Sequence, residues 1–163
     1  MADPLEREVL NALKKGTGKQ KILQQLLTKN NRDDLVWYLN HLPTGPGRRE
    51  NQWINWLLII LLLAVTVNKL YFIALLQLKA VSVNMFSPVL LLDLIVPAIN
   101  FFVLNKIIRF QRQGYEFMTV LGLLGLVRPE NRDMPNLALY LIIISLSIFL
   151  LLRLFPKKER IPD

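Results

Sequence analysis

Trp53–Leu78, WINWLLIILLLAVTVNKLYFIALLQL, is the stretch whose reading decides the fold. From Trp56 to Val67 it is almost wholly apolar; Asn68 and Lys69 interrupt it, and Tyr71–Leu76 resume it. About 20 apolar residues carry an α-helix across the hydrocarbon core of a bilayer, so one tilted helix covers the run. Trp53 and Trp56 suit the interfacial belt at its start, and Arg48 and Arg49 stand just outside it as a basic flank.

Working outward, a second apolar run from Val89 to Leu104 opens at Ser87-Pro88, giving an expected span over about 87–105. A third fills 137–155, between Pro135-Asn136 and Pro156-Lys157-Lys158. Between them, Phe117–Val127 is apolar but too short to cross alone, and it carries Gly122 and Gly125. The segment 114–131 therefore reads as a short span, a re-entrant segment or an interfacial helix. Just before it, Lys106, Arg109 and Arg112 are spaced to share one helical face at headgroup level. The expected fold is all-α: a polytopic integral membrane protein with three or four transmembrane helices within 53–155.

Composition agrees with that division. Of 163 residues, 53% are hydrophobic, and the mean hydropathy is +0.35, yet residues 1–52 are polar and charged. Three short amphipathic helices are expected in 1–43. Asp3-Pro4-Leu5-Glu6 is a helix start, with Leu5, Val9 and Leu13 on one face and a stop at Gly16. Ile22, Leu23, Leu26 and Leu27 mark a second helix over about 17–28, ended by Asn30-Asn31. Leu35, Val36, Leu39 and Leu42 mark a third, ended by Pro43. So small a head buries too little surface to stand alone, and it is expected to dock on the membrane, on its own copies or on a partner. Pro43-Thr44-Gly45-Pro46-Gly47 reads as a linker within 44–52, and 156–163 as a basic tail.

The net charge of +8 and pI near 10.0 fit anionic headgroups. The basic flanks at Arg48, Arg49, Lys106, Arg109, Arg112, Lys157 and Lys158 are the expected lipid contacts, with Trp53 and Trp56. With a cytoplasmic N-terminus, the nine Lys and Arg of residues 1–52 lie inside and Lys79 lies outside. Four crossings then return Lys157, Lys158 and Arg160 to the inside, whereas three strand them outside. The positive-inside bias favours four.

Polar groups inside the apolar runs are the other candidates. If spans one and two are antiparallel neighbours, Lys69 and Asp93 come to the same depth; an ionisable group there usually faces protein or water. Asp93, Pro97 and Asn100 form one stripe, expected to pack against neighbouring helices, in which Pro97 can kink its helix. Snorkelling of Lys69 and a structural role for Asp93 outweigh an ion pathway. Gly122-x-x-Gly125 permits close helix approach but is a poor dimerisation motif.

Catalytic and metal signals are weak. There is no cysteine and one histidine, His41, so thiolate sites are excluded and a zinc site would rest on carboxylates that do not cluster. Gly16-Thr17-Gly18-Lys19 lacks the spacing of a phosphate loop and has Gln20 where a hydroxyl is needed. The lysines of the head do not compose a recognition helix, which disfavours nucleic acid. No catalytic residue, metal or cofactor is assigned. The function expected is that of a non-enzymatic membrane component, an accessory subunit, scaffold or adaptor binding partner protein or anionic lipid. The alternative is a small oligomeric transporter or channel lined by Lys69, Asp93 and Asn100.

Overall fold

A computed structural model of the chain describes residues 3–28, 31–82, 92–127 and 133–162. Among them all regular structure is helical: α1 Pro4–Lys14, α2 Lys19–Leu26, α3 Arg32–His41, α4 Gly45–Glu50, α5 Gln52–Ser82, α6 Ile95–Ile108, α7 Arg112–Val127 and α8 Met134–Leu154. A 3-10 turn at 92–94 leads into α6, and another, Lys157–Glu159, follows α8.

The head folds where its apolar spacing demands. Asp3 caps α1, its Oδ1 accepting from the Leu5 amide at 3.1 Å, and Pro4 occupies the first turn where no amide donor is needed. Gly16 takes φ 81° to close the turn after α1, a conformation that strains side-chain-bearing residues. Val9, Leu13, Ile22, Leu35, Val36, Leu39 and Leu42 then bury one another. That small core is completed by Ile161, from the far end of the chain, which is only 6% exposed. The head thus packs in part on the protein's own tail.

The Pro/Gly segment differs from the linker expected of it. Residues 45–50 form α4, with Pro46 in its first turn, where the rigid φ favours a helix. A Cβ at Gly45 would meet the Leu13 carbonyl oxygen at 2.6 Å, so the glycine lets α4 start directly against the end of α1.

Two helices, α5 with 31 residues and α8 with 21, are long and apolar enough to cross a membrane. They pack with α6 and α7 as a four-helix unit in which α5 and α7 each contact both α6 and α8. Successive helices run antiparallel. Asn55 near the start of α5 meets Ile107 near the end of α6, and Thr66 meets Asn100. Gly122 packs on Ile144 and Gly125 on Tyr140, which pairs the end of α7 with the start of α8. The core comprises Leu58, Leu62, Val103, Ile107, Tyr115 and Ile143 among others.

Three expectations concern these helices. The start at Ser87-Pro88 lies outside the described residues. Pro97 sits in the first turn of α6, which begins at Ile95, so it opens that helix and kinks nothing. Of the segment 114–131 the described part ends with α7 at Val127, and it packs its Gly122 and Gly125 face directly into α8.

Candidate functional site

The polar chemistry of the molecule gathers where the head meets one end of the four helices. Arg109 Nη2 approaches Glu6 Oε1 of α1 at 3.2 Å, and Gln111 Nε2 donates to the same oxygen at 3.3 Å. Both belong to the tight turn between α6 and α7, where Phe110 holds φ 56°. That turn also breaks the single helical face expected of Lys106, Arg109 and Arg112. Lys106 lies over the Phe102 ring on α6, 5.5 Å from its centroid, while Arg112 begins α7 and pairs with Glu116 at 2.7 Å.

A second attachment joins the tail to the head. Asn40 Nδ2 donates to the Ile161 carbonyl and its Oδ1 accepts from the Ile161 amide, each at 2.9 Å. A primary amide offers one donor and one acceptor edge, so a single buried Asn satisfies both backbone groups of one residue. Below the head, Tyr115 is fully buried and its hydroxyl donates to Asn55 Oδ1 at 2.7 Å, while Asn55 Nδ2 reaches the Ile107 carbonyl at 3.3 Å. These contacts tie α5, α6 and α7 together at the head end.

Beside a cavity of about 480 Å³ lined by Arg32, Trp37, His41, Arg112, Glu116 and Arg160, two more open at this junction. One, of about 500 Å³, is lined by Lys14, Arg48, Arg49, Trp56, Ile59 and Ile108, among others. The Arg48 guanidinium lies over the Phe110 ring, 4.5 Å from its centroid, and partial burial pushes its pKa down. The other, of about 360 Å³, is lined by Lys19, Asn40, Arg112, Lys157 and Arg160 with the end of α8. Lys19 is 8% exposed. Its ammonium pKa is lowered by burial, with Glu159 opposing and Arg112 reinforcing the shift. Trp53 is 86% exposed, and Lys157 and Lys158 stand exposed in the 3-10 turn.

The intramembrane candidates separate. Lys69 and Asn100 line a smaller cavity of about 130 Å³ together with Tyr140. Asn100 Nδ2 donates to Thr66 Oγ1 at 3.1 Å, and that hydroxyl donates to the Leu62 carbonyl at 2.8 Å. Asp93 is exposed in the turn before α6. Among the described residues the ion pairs are Arg109–Glu6 and Arg112–Glu116, so none joins Lys69 to Asp93.

Sequence reasoning missed Asn40, Asn55 and Tyr115. Asn55 carries a signal in retrospect, an amide set inside the first turn of an apolar run. His41 Nδ1 lies 2.7 Å from the Trp37 carbonyl oxygen, and its ring stacks on Trp37 with centroids 4.3 Å apart. The Ser147 hydroxyl is buried without a hydrogen-bond partner among the described residues. Also among the described residues, no group of three or more His, Asp or Glu side chains is placed to hold a metal ion. No family model, curated protein or solved structure matches the chain.

Proposed function

We propose that the protein is a four-crossing, non-enzymatic membrane component, an accessory subunit, scaffold or adaptor that holds a rigid helical cap at the cytoplasmic surface. The observation that carries this reading is the Asn40–Ile161 clamp. Because the tail after α8 completes the core of the head before α5, both ends of the chain lie on one side. An even number of crossings follows, and α5, α6, α7 and α8 supply four.

The surface of the four helices supports a lipid setting. Ile60, Val67 and Phe72 on α5, Phe102 on α6, Leu123 and Leu124 on α7 and Leu152 on α8 are all exposed. So large an apolar surface is costly in water and is the ordinary exterior of a membrane helix. At 14 and 16 residues, α6 and α7 are about 21 and 24 Å long, short of the roughly 30 Å hydrocarbon core. Local thinning of the bilayer or snorkelling of their flanking cations meets that mismatch. The concentration of Lys and Arg at the head end favours a cytoplasmic location.

In this reading the cap is presented to another protein or to anionic lipid. Native mass spectrometry after gentle extraction tests it: a complex with other polypeptides supports the accessory role, and a closed homo-oligomer alone goes against it. A small oligomeric transporter is favoured by one observation, the cavity beside Lys69 and Asn100. Loss of flux in reconstituted vesicles on Lys69→Gln, with assembly intact, would support that alternative; unchanged flux would remove it.

A further inference from the structure

The 500 Å³ cavity at the head–bundle junction has a chemistry that changes along its length. At the head end stand Lys14 from α1 and Arg48 and Arg49 from α4. They come together because Gly45 lets the start of α4 abut the Leu13 and Lys14 backbone. No carboxylate lines the cavity, and none of the three cations has an ion-pair partner within 4.0 Å among the described residues. Toward the bundle the lining becomes Trp56, Ile59 and Ile108. Beyond Trp56 the same side of α5 continues with Ile60 (59% exposed), Leu63 (40%) and Val67 (54%).

We propose that this cavity is a binding site for one anionic phospholipid. Its phosphate is held by Lys14, Arg48 and Arg49, and an acyl chain lies along Trp56, Ile60 and Leu63 of α5. Three cations without counter-charges attract a phosphodiester, and Arg presents a fork that matches two phosphate oxygens. A free phosphate would use only the cationic end. The apolar continuation down α5 is what commits the site to a lipid, because the chain then covers surface that is otherwise bare. The stacking of Arg48 on Phe110 preorganises its guanidinium before any ligand arrives. Trp56, half exposed between the two zones, suits the level where headgroup meets chain.

The proposal rests on α5 being a membrane helix, and one experiment separates the two. Full-length protein is delipidated in detergent and titrated with phosphatidylglycerol or phosphatidylcholine under native mass spectrometry. The expected result is one phosphatidylglycerol retained in preference to phosphatidylcholine, with retention falling about thirtyfold in Arg48→Gln/Arg49→Gln, as loss of two cations at an anionic surface implies. Because Arg48 also packs on Phe110, Lys14→Gln/Arg49→Gln at the exposed rim provides a variant that spares folding; it is expected to lose the lipid as well. Lys157→Gln/Lys158→Gln is expected to keep it. Excess inorganic phosphate leaves the lipid in place if the chain contributes to binding, and displaces it if the site takes phosphate alone. Equal retention of both lipids, retention unchanged in both cavity variants, or displacement by phosphate overturns the site, while leaving the membrane reading intact. Release of the protein from its membrane by alkaline carbonate overturns both.

Discussion

Asn40 and Ile161 stand 121 residues apart in sequence, yet the Asn40 side chain grips both backbone polar groups of Ile161 at 2.9 Å. Ile161 inserts its own side chain among Val9, Leu13, Ile22 and Leu39. Asn40→Ala leaves a buried amide and carbonyl unpaired, which costs about 1–3 kcal/mol each when water cannot replace the partner. The variant is expected to melt earlier and, with the tail untethered, to be cut faster by trypsin at the already exposed Lys157–Arg160. An unchanged melting point with an unchanged rate of cleavage would contradict the clamp.

Tyr115 and Asn55 form the buried hydrogen bond that joins α7 to α5. Tyr115→Phe keeps the ring and removes the donor, so a loss of about 1 kcal/mol is expected, with more if the Asn55 oxygen stays dry. In a double-mutant cycle with Asn55→Leu the two changes should be less than additive; strict additivity would show that the bond carries no energy.

Gly122 and Gly125 set the spacing of α7 and α8. A Cβ at Gly122 would fall 2.5 Å from Ile144 Cγ1, and one at Gly125 would fall 2.6 Å from Tyr140 Cε1. Gly122→Ala and Gly125→Ala are expected to destabilise by about 1–3 kcal/mol each through overpacking, read in thermal unfolding in detergent. Ile144→Ala, which removes both Cγ1 and Cδ1, should restore part of the loss at Gly122 and none at Gly125. Equal rescue of both would refute the pairing.

How much of this was legible in the sequence depends on the range of the interaction. Helices α1 and α3 and the apolar character of α5 and α8 follow from local spacing and from single residues such as Asp3 and Gly16. The role of Gly122 and Gly125 was read as close approach, but the partner helix is a tertiary fact. Asn40 has no local mark, since its partner lies 121 residues away. Pro97 misled because a proline within an apolar run is ambiguous until the helix start is known. Lys69 and Asp93 are read from the sequence as sharing one depth, and depth does not fix the azimuth of a side chain on its helix.

Lys19 offers a test of pH dependence. Its pKa is lowered from 10.5, chiefly by burial, so the folded state releases this proton at lower pH than the unfolded chain. The desolvation cost is fully present below the folded pKa and is relieved as pH rises through it toward 10.5. Lys19→Met is therefore expected to stabilise the head at pH 7, by about 1 kcal/mol or less, with the advantage shrinking as pH approaches 10.5. Melting curves across that interval check it; a variant less stable than the parent at pH 7 would mean that Lys19 is held by an attraction stronger than its burial.

The central claim is that head and tail share one side of the membrane. With no native cysteine, single substitutions at the exposed positions Glu8, Ser82 and Lys158 give a clean topology assay in sealed cells with a membrane-impermeant maleimide. The account predicts that Ser82→Cys is labelled from outside, whereas Glu8→Cys and Lys158→Cys are labelled only after the membrane is opened. Labelling of Lys158→Cys from outside while Glu8→Cys stays protected would contradict it.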